Sequence, residues 1–379
     1  MSTFFRWLAS IPPLAQVPII LLAFAIVVAA VLFFVEIAPR RGVGYTILRL
    51  VVCILLPVTL LLVFGLYNSV MWIAVVAAVF GGVLFLLDFR SRNGAGYMLQ
   101  LIAFMAPAAF FIVVGLAYPT VTTAINAFGK NDGSGFAGVE NFVWVFTSPD
   151  GVTAFLNTVV WVLLAPIIAT VIGLAYAVFI DKSRGEKFFK LLVFMPVAIS
   201  FVGASIIFKF FYDIRQGAQI GVLNAIITAF GGSPVDWLGI EPWNTLFLVV
   251  VLIWTQAGFA MTVLSAAIKG VPTEQLEAAS LDGTSSWQAF WNVTVPGIRS
   301  SIVVVVTTIS IASLKVFDIV SAMTGGRSDT TVLAFEMVRQ FQLGARGGYS
   351  AALAVILFLL VLPIVVYNAR QLAKQKEIR

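Results

Sequence analysis

The sequence predicts an all-α polytopic membrane protein, and three observations carry the prediction. Of 379 residues, 61% are hydrophobic and only 11% charged, far fewer charges than a soluble chain of this length carries. Mean hydropathy is +1.04. The apolar residues gather into runs of about 20 or more, the length a helix needs to cross a bilayer core. Helix is favoured over strand because a lone spanning segment must satisfy its own backbone groups.

Composition also excludes chemistry. There is no histidine, so His-based general base catalysis, His metal ligation and His proton relays are ruled out for this chain. The single cysteine, Cys53, lies in an apolar run and reads as a packing residue. No GxxxxGK[ST] pattern occurs; Gly129-Lys130 lacks both the upstream glycine and the Ser/Thr. ATP chemistry, if any, belongs to a partner.

Taken in order, Phe4, Phe5 and Trp7 around Arg6 form an interfacial lead-in before Pro12-Pro13. The run 14–38 is too long for a signal-peptide core and is read as an uncleaved helix. Further runs occur at 47–67, 70–89, 97–118, 154–180, 188–211, 244–268, 297–322 and 350–369, about nine spans in all by the hydropathy criterion. Pro57, Pro107, Pro166, Pro196 and Pro363 fall inside runs, tolerable where neighbouring helices satisfy the freed carbonyl.

Loop charges set the orientation. Arg40, Arg41, Arg90, Arg92, Lys182, Arg184, Lys187, Lys190, Lys269, Arg299 and the tail Arg370, Lys374, Lys376 and Arg379 share one side; Lys130, Arg215, Arg327, Arg339 and Arg346 are spread over the other. The positive-inside rule puts the first set and the C-terminus in the cytoplasm, with the N-terminus outside.

The segment 272–299, PTEQLEAASLDGTSSWQAFWNVTVPGIR, is the longest polar-rich stretch on the basic side. It reads as two short helices. The first, 272–281, has Pro in its opening turn and stops at Asp282-Gly283, where Gly can go left-handed. The second opens with a capping box, Ser285 and Gln288, and sets Trp287, Phe290 and Trp291 on one face. Pro296 marks the next break. On geometry alone such a pair could lie in the lipid interface with its tryptophans as anchors.

This segment resembles the EAA loop of ABC importer permeases. Glu277, Ala278, Ala279, Gly283, Val293, Val295 and Pro296 fall at the family spacing, with Val standing for Ile and for Leu near the end. The resemblance implies a coupling helix that fits a groove in a cytoplasmic ATPase, through Glu277, Ala278, Ala279, Asp282, Gly283 and Pro296. It extends over residues 97–379: Ala137–Phe142, Asn157-Thr158, Phe194-Met195-Pro196 (resembling a bend in the third core span), Val316-Phe317-Asp318, Thr324-Gly325-Gly326 and Tyr349–Ala352 look like the carbohydrate branch of type I importers, and the closing run resembles α-glucoside permeases. It implies a core of six transmembrane helices at 97–379, preceded at 1–96 by about three accessory helices. It further implies a bacterial inner-membrane, multi-pass subunit of a sugar importer for an α-glucoside such as maltose, trehalose or sucrose. The implied partners are a second homologous permease, two cytoplasmic ATPase subunits that bind ATP and magnesium, and an extracytoplasmic sugar-binding protein. The chain itself would be no enzyme and hold no cofactor or metal.

A sugar must meet polar and aromatic groups near the midplane. Thr255, Gln256 and Phe259 share a face roughly 15–21 Å above Lys269 at the helical rise. Thr308, Ile311, Ala312 and Lys315 recur at helical spacing on the next run, the first three at roughly matching height. By position within the resemblance these seven align with sugar-contacting positions of the maltose permease. Small residues there could equally serve helix packing, whereas a buried Gln256 amide needs partners. Lys315 and Asp318 are expected as an i, i+3 pair toward the outer end of that run. Two other function classes compete: a self-sufficient secondary transporter, which wants broken-helix repeats and a titratable relay, and a membrane enzyme, for which no clustered acids or Cys/His set is present.

Overall fold

The computed structural model describes residues 112–181, 183–214, 220–344 and 347–377. The three spans expected before residue 97, with Cys53 and Pro57, lie outside the described residues, as do Pro107, Lys182, Arg215 and Arg346. The chain divides into two compact units, Met1–Pro119 and Thr120–Arg379. In the first, the last residues of the run expected at 97–118 are helical, with a π-helical turn at Val113–Ala117. Helix α1, Tyr118–Asn126, comes directly after it.

The rest of the described chain is helical, with two isolated bridges at Gly129–Phe136 and Ile214–Ile220. After α2, Glu140–Thr147, Ser148 turns extended and its Oγ accepts the Gly151 N–H at 3.1 Å, with Pro149 in the first turn. That cap starts α3, Pro149–Ile180, ahead of the apolar run expected from 154. Next come α4, Glu186–Phe194, a 3-10 turn at Met195–Ala198, α5, Phe201–Tyr212, and α6, Val222–Ala229. Helix α7, Asn244–Lys269, leads into α8, Thr273–Leu281, and α9, Ser286–Ala289. A π-helical turn at Phe290–Thr294 joins α9 to α10, Val295–Gly297. The chain ends with α11, Arg299–Leu314, α12, Asp318–Met323, α13, Leu333–Gln342, and α14, Gly347–Glu377.

Among the described residues, α3, α7 and α14 (over Gly347–Arg370) are long and apolar enough to cross a membrane. Two bent pairs pass together: α4 with its 3-10 turn and α5, bent by 103°, and Ser286–Gly297 with α11, bent by 68°. The run at 188–211 is therefore not one straight helix. Pro196 cannot donate into the ladder, and the chain stays extended at Ile199 and Ser200 before the Ser200 hydroxyl caps α5 through Gly203 N–H. The run at 297–322 is also divided: α11 ends at Leu314, Lys315 is its C-cap, and Asp318 opens a new helix. Val316 is buried and Phe317 half-buried, so hydropathy continues across a gap where the helix does not. The expected i, i+3 pairing of Lys315 with Asp318 on one helix is thereby lost.

Small residues explain why α3 is central. Ala165, Ala169, Gly173 and Ala177 recur every four residues, and all are buried. Without a hydrophobic drive between helices in lipid, close backbone approach supplies the packing. Helix α7 lies along this stripe so tightly that a Cβ on Gly173 would sit 2.4 Å from Ala260 Cβ and 2.7 Å from Met261 N. Helix α11 packs on α3 as well. Trp161, Leu248, Leu252, Met261, Leu264 and Ile309 fill the space between them. A second cluster, Val145, Ala154, Leu333, Leu353 and Ile356, joins α2, α13 and α14 to the start of α3.

Helices α3 and α7 run parallel. Their N-terminal ends meet at one turn, where Asn157 Nδ2 donates to the Asp329 and Thr331 carbonyls and Asn244 Nδ2 to the Ser328 carbonyl. Their C-terminal ends meet where Ser265 bonds Asp181. We call these the amide end and the loop end.

Candidate functional site

At the loop end α7 stops on Gly270, and the buried Val271 with the exposed Pro272 redirects the chain into α8. Pro272 is the N-cap of α8, one residue outside the helix expected from 272. The turn after α8 closes as its residues dictate. Gly283 adopts φ +74°; its N–H donates to Ser280 O at 3.1 Å, and the Thr284 N–H and Oγ1 both donate to Ala279 O, at 3.1 and 2.7 Å. These are the paired bonds of a glycine C-cap. Ser285 and Gln288 then form the expected capping box: Ser285 N–H to Gln288 Oε1 at 2.8 Å, and Gln288 N–H to Ser285 Oγ at 3.3 Å.

Trp287, Phe290 and Trp291 come together, with centroids 5.3–6.2 Å apart. Pro296 does not end this helix where expected. The preceding π-helical turn widens the backbone, Pro296 sits in α10, and the 68° bend comes after Gly297.

Ala279 faces inward and is buried, while Glu277, Ala278, Asp282, Gly283 and Pro296 are exposed. The side chains of Glu277 and Asp282 make no hydrogen bond or ion pair among the described residues. Beside them stands a residue that sequence reasoning missed: Leu281 is 89% exposed. Its signal was available, since it lies four residues after Glu277 and three after Ala278, on one helical face. The loop therefore offers an apolar knob flanked by two free carboxylates.

Between the ends, the expected substrate positions divide. Thr255 is buried, and its hydroxyl donates to Leu252 O at 2.9 Å within its own helix. Gln256 and Phe259 are half-buried; Phe259 packs on the main core, and the Gln256 amide has no hydrogen-bond partner among the described residues. On α11, Thr308 is exposed, with its hydroxyl donated to Val304 O at 2.8 Å; Ile311 and Ala312 are half-buried and Lys315 is exposed. Helices α7 and α11 touch, so Gln256, Phe259, Thr308, Ile311 and Ala312 lie on neighbouring helices that are incompletely covered by this chain. Among the described residues no group of acids and cysteine is arranged to hold a metal.

At the amide end, residues of the sequence pattern act as fasteners. Asn141 Nδ2 donates to Ala127 O and Gly129 O at 2.8 and 2.7 Å. Thr158 Oγ1 accepts the Leu333 N–H at 2.9 Å, and Tyr349 stacks on Trp144 at 4.2 Å. The turn held by Asn157 and Asn244 has Gly325, Gly326, Ser328 and Asp329 all at positive φ. For Ser328 and Asp329 that is a strained conformation, kept by the surrounding bonds.

Comparison with known proteins gives consistent relatives. Residues 152–376 match the family described as binding-protein-dependent transport system inner membrane component. The osmoprotective compounds uptake permease protein GgtC of Synechocystis sp. is 42% identical over 278 residues, 73% of this chain and 100% of that protein. The alpha-glucoside transport system permease protein AglF of Rhizobium meliloti is 43% identical over 275 residues, 72% of this chain and 82% of its own. A chain in the crystal structure of a bacterial ABC transporter that imports alginate superposes with a TM-score of 0.63 at 22% identity, covering 75% of this chain and 97% of that one.

Proposed function

We infer the function from one premise: the chain belongs to the family of binding-protein-dependent transport system inner membrane components. It has the fold of a type I ABC importer permease and is the membrane-spanning permease subunit of a sugar importer. Relatives named for sugars support that reading, among them the alpha-glucoside permease AglF and the trehalose/maltose permease protein MalF of Thermococcus litoralis. The substrate we assign is an α-glucoside or a glucosylated small solute. Hydrolysis of ATP falls to partner subunits, because this chain carries no nucleotide-binding loop.

One observation carries the assignment of mechanism. The segment 272–299 stands as a self-capped helix pair with Glu277, Ala278, Leu281 and Asp282 exposed and unbonded, which suits insertion into a groove of a cytoplasmic ATPase. An apolar knob ringed by charge fits an interface with a buried centre and a polar rim. The C-terminus then lies in the cytoplasm and the amide end faces the external binding protein. A second permease completes the pathway across the uncovered face of α7 and α11. Within the pathway Gln256, Phe259 and Thr308 are the groups we assign to the sugar, with Ile311, Ala312 and Lys315 beside them and Thr255 supporting α7 from within.

The assignment is tested by reconstituting the chain with and without the ATPase subunits and its partner permease. Uptake of labelled α-glucoside is expected only in the full assembly with ATP. Uptake by this chain alone would overturn it. In the working assembly, Gln256→Leu is expected to raise the sugar concentration for half-maximal uptake several-fold, roughly the effect of one neutral hydrogen bond. Unchanged uptake kinetics would return Gln256 to a packing role.

A further inference from the structure

A compact charge cluster at the loop end lies outside the coupling loop itself. Asp181 comes directly after the last residue of α3, and its side chain is 11% exposed. The Ser265 hydroxyl lies 2.8 Å from both of its carboxylate oxygens. Lys190 Nζ lies 2.5 Å from Asp181 Oδ1, 2.8 Å from Glu186 Oε1 and 2.6 Å from Ser265 Oγ. Lys269 Nζ pairs with Glu186 and stands 3.9 Å from Asp181 Oδ1. Two acids and two lysines from three segments thus form one network around the Asp181 carboxylate.

The placement of these segments gives the cluster its meaning. Ser265 and Lys269 form the last turn of α7, directly before the loop. Glu186 and Lys190 form the first turns of α4, the helix that leads into the 103° bend. A second contact locks the same two helices: a Cβ on Gly258 of α7 would lie 2.4 Å from Val193 O and 2.9 Å from Phe194 Cα. Helix α4 is therefore held to α7 at two points, by ions at the loop end and by backbone contact near the bend. Two separated attachments make two helices move as one body.

We propose that Asp181 is a positioning residue for energy coupling, joining the coupling-loop end of α7 to the bent pair α4–α5 so that displacement of the loop moves the bend. The inference rests on the permease reading above, in which Asp181 is assigned no contact with sugar or nucleotide. Its work is to keep the Ser265 hydroxyl and the Lys190 and Lys269 ammonium groups on one anchor. Charge-assisted bonds in a partly buried site are the strong kind.

The test uses the complete reconstituted transporter with its ATPase subunits and binding protein. It reads ATP hydrolysed per sugar imported, beside the yield of assembled complex. Asp181→Asn keeps the shape and an acceptor for Ser265 but removes the charge. We expect ATP consumed per sugar to rise roughly five-fold or more, the scale of a lost charge-assisted bond, with assembly retained. Asp181→Glu should restore much of the ratio. Lys190→Met combined with Asp181→Asn should add little, since both remove the same attachment. An unchanged ratio in a well-assembled Asp181→Asn complex, or full additivity of the pair, would overturn the proposal. If Asp181→Asn fails to assemble, Ser265→Ala supplies the reading: an increased ratio supports the anchor, and a wild-type ratio refutes it. Wild-type protein that shows no ATP-coupled uptake would instead refute the permease reading, so the two failures are distinct.

Discussion

The amide end of this permease and the segment 272–299 that follows its loop end are built on opposite plans. At the amide end, side chains reach across long stretches of sequence to satisfy backbone carbonyls: Asn157 to residues 329 and 331, and Asn244 to 328. Glu336 is fully buried, yet held by Arg339 and Gln340. In segment 272–299 the bonds are local. The glycine cap and the capping box close within six residues of sequence, and the Glu277 and Asp282 side chains have no hydrogen-bond or ion-pair partner among the described residues. One end is a frame tied across the sequence, and the other, on the proposed function, is a pre-formed plug for a partner subunit. A transporter needs both, because a push on the plug moves the pathway only if something fixed opposes it.

The contrast can be broken first where it is strongest. Arg339→Met leaves the Glu336 carboxylate buried with its charge uncompensated, a change costing about 3 kcal/mol. A large fall in the thermal midpoint and poor recovery from detergent are expected; a midpoint near wild type would mean Arg339 does not hold this end of the frame. Asn157→Ala comes next. It frees two carbonyls of a turn that holds Ser328 and Asp329 in strained conformations, at a cost of roughly 1–2 kcal/mol. The midpoint should drop modestly, and hydrogen exchange should rise in 324–331 specifically; exchange that rises evenly along the chain would contradict a local fastener.

Smaller effects sharpen the comparison from the other side. Ser285→Ala removes one half of the capping box, worth about 1 kcal/mol to its short helix. Faster exchange confined to 285–289, without a shift of the global midpoint, is expected, and a global shift would mean the loop belongs to the frame after all. Glu277→Lys should change stability least, within about 0.5 kcal/mol for an exposed unpartnered side chain. Its consequence should appear in stimulation of the ATPase by sugar-loaded binding protein, which we expect to be lost through charge reversal at the interface. Wild-type stimulation would remove Glu277 from that interface.

The two plans also explain what could be read from the sequence. The plug was legible in detail because its determinants are neighbours: Gly283 at positive φ, the Ser285–Gln288 box and the Trp287–Phe290–Trp291 cluster all arise from spacing. The frame was legible only as a resemblance. Nothing in one sequence pairs Asn157 with a carbonyl 172 positions away, or Arg339 with Asp150 across 189. Hydropathy located the spans from 154 onward but not their breaks. Pro196 signalled the bend between α4 and α5, whereas Ser200 determined where the second helix starts. The gap at 315–317 was concealed by Val316 and Phe317, which are apolar without being helical. The Ala165–Ala177 stripe was readable, yet its partner on α7 appears only when the helices are laid side by side.

The π-helical turn at Phe290–Thr294 bears on how such loops diverge. A π turn holds one residue more than the α turn it replaces, so it is a place where chain length can change without disturbing the next span. Removing one residue there is expected to restore α geometry and leave the onset of α11 in phase. The same deletion early in α11 would rotate every later side chain of that helix by about 100°, out of its packing on α3 and α7. The stretch from Glu277 to Pro296 therefore contains one elastic position at which a length change can be absorbed, while the register of the neighbouring span is fixed by its packing.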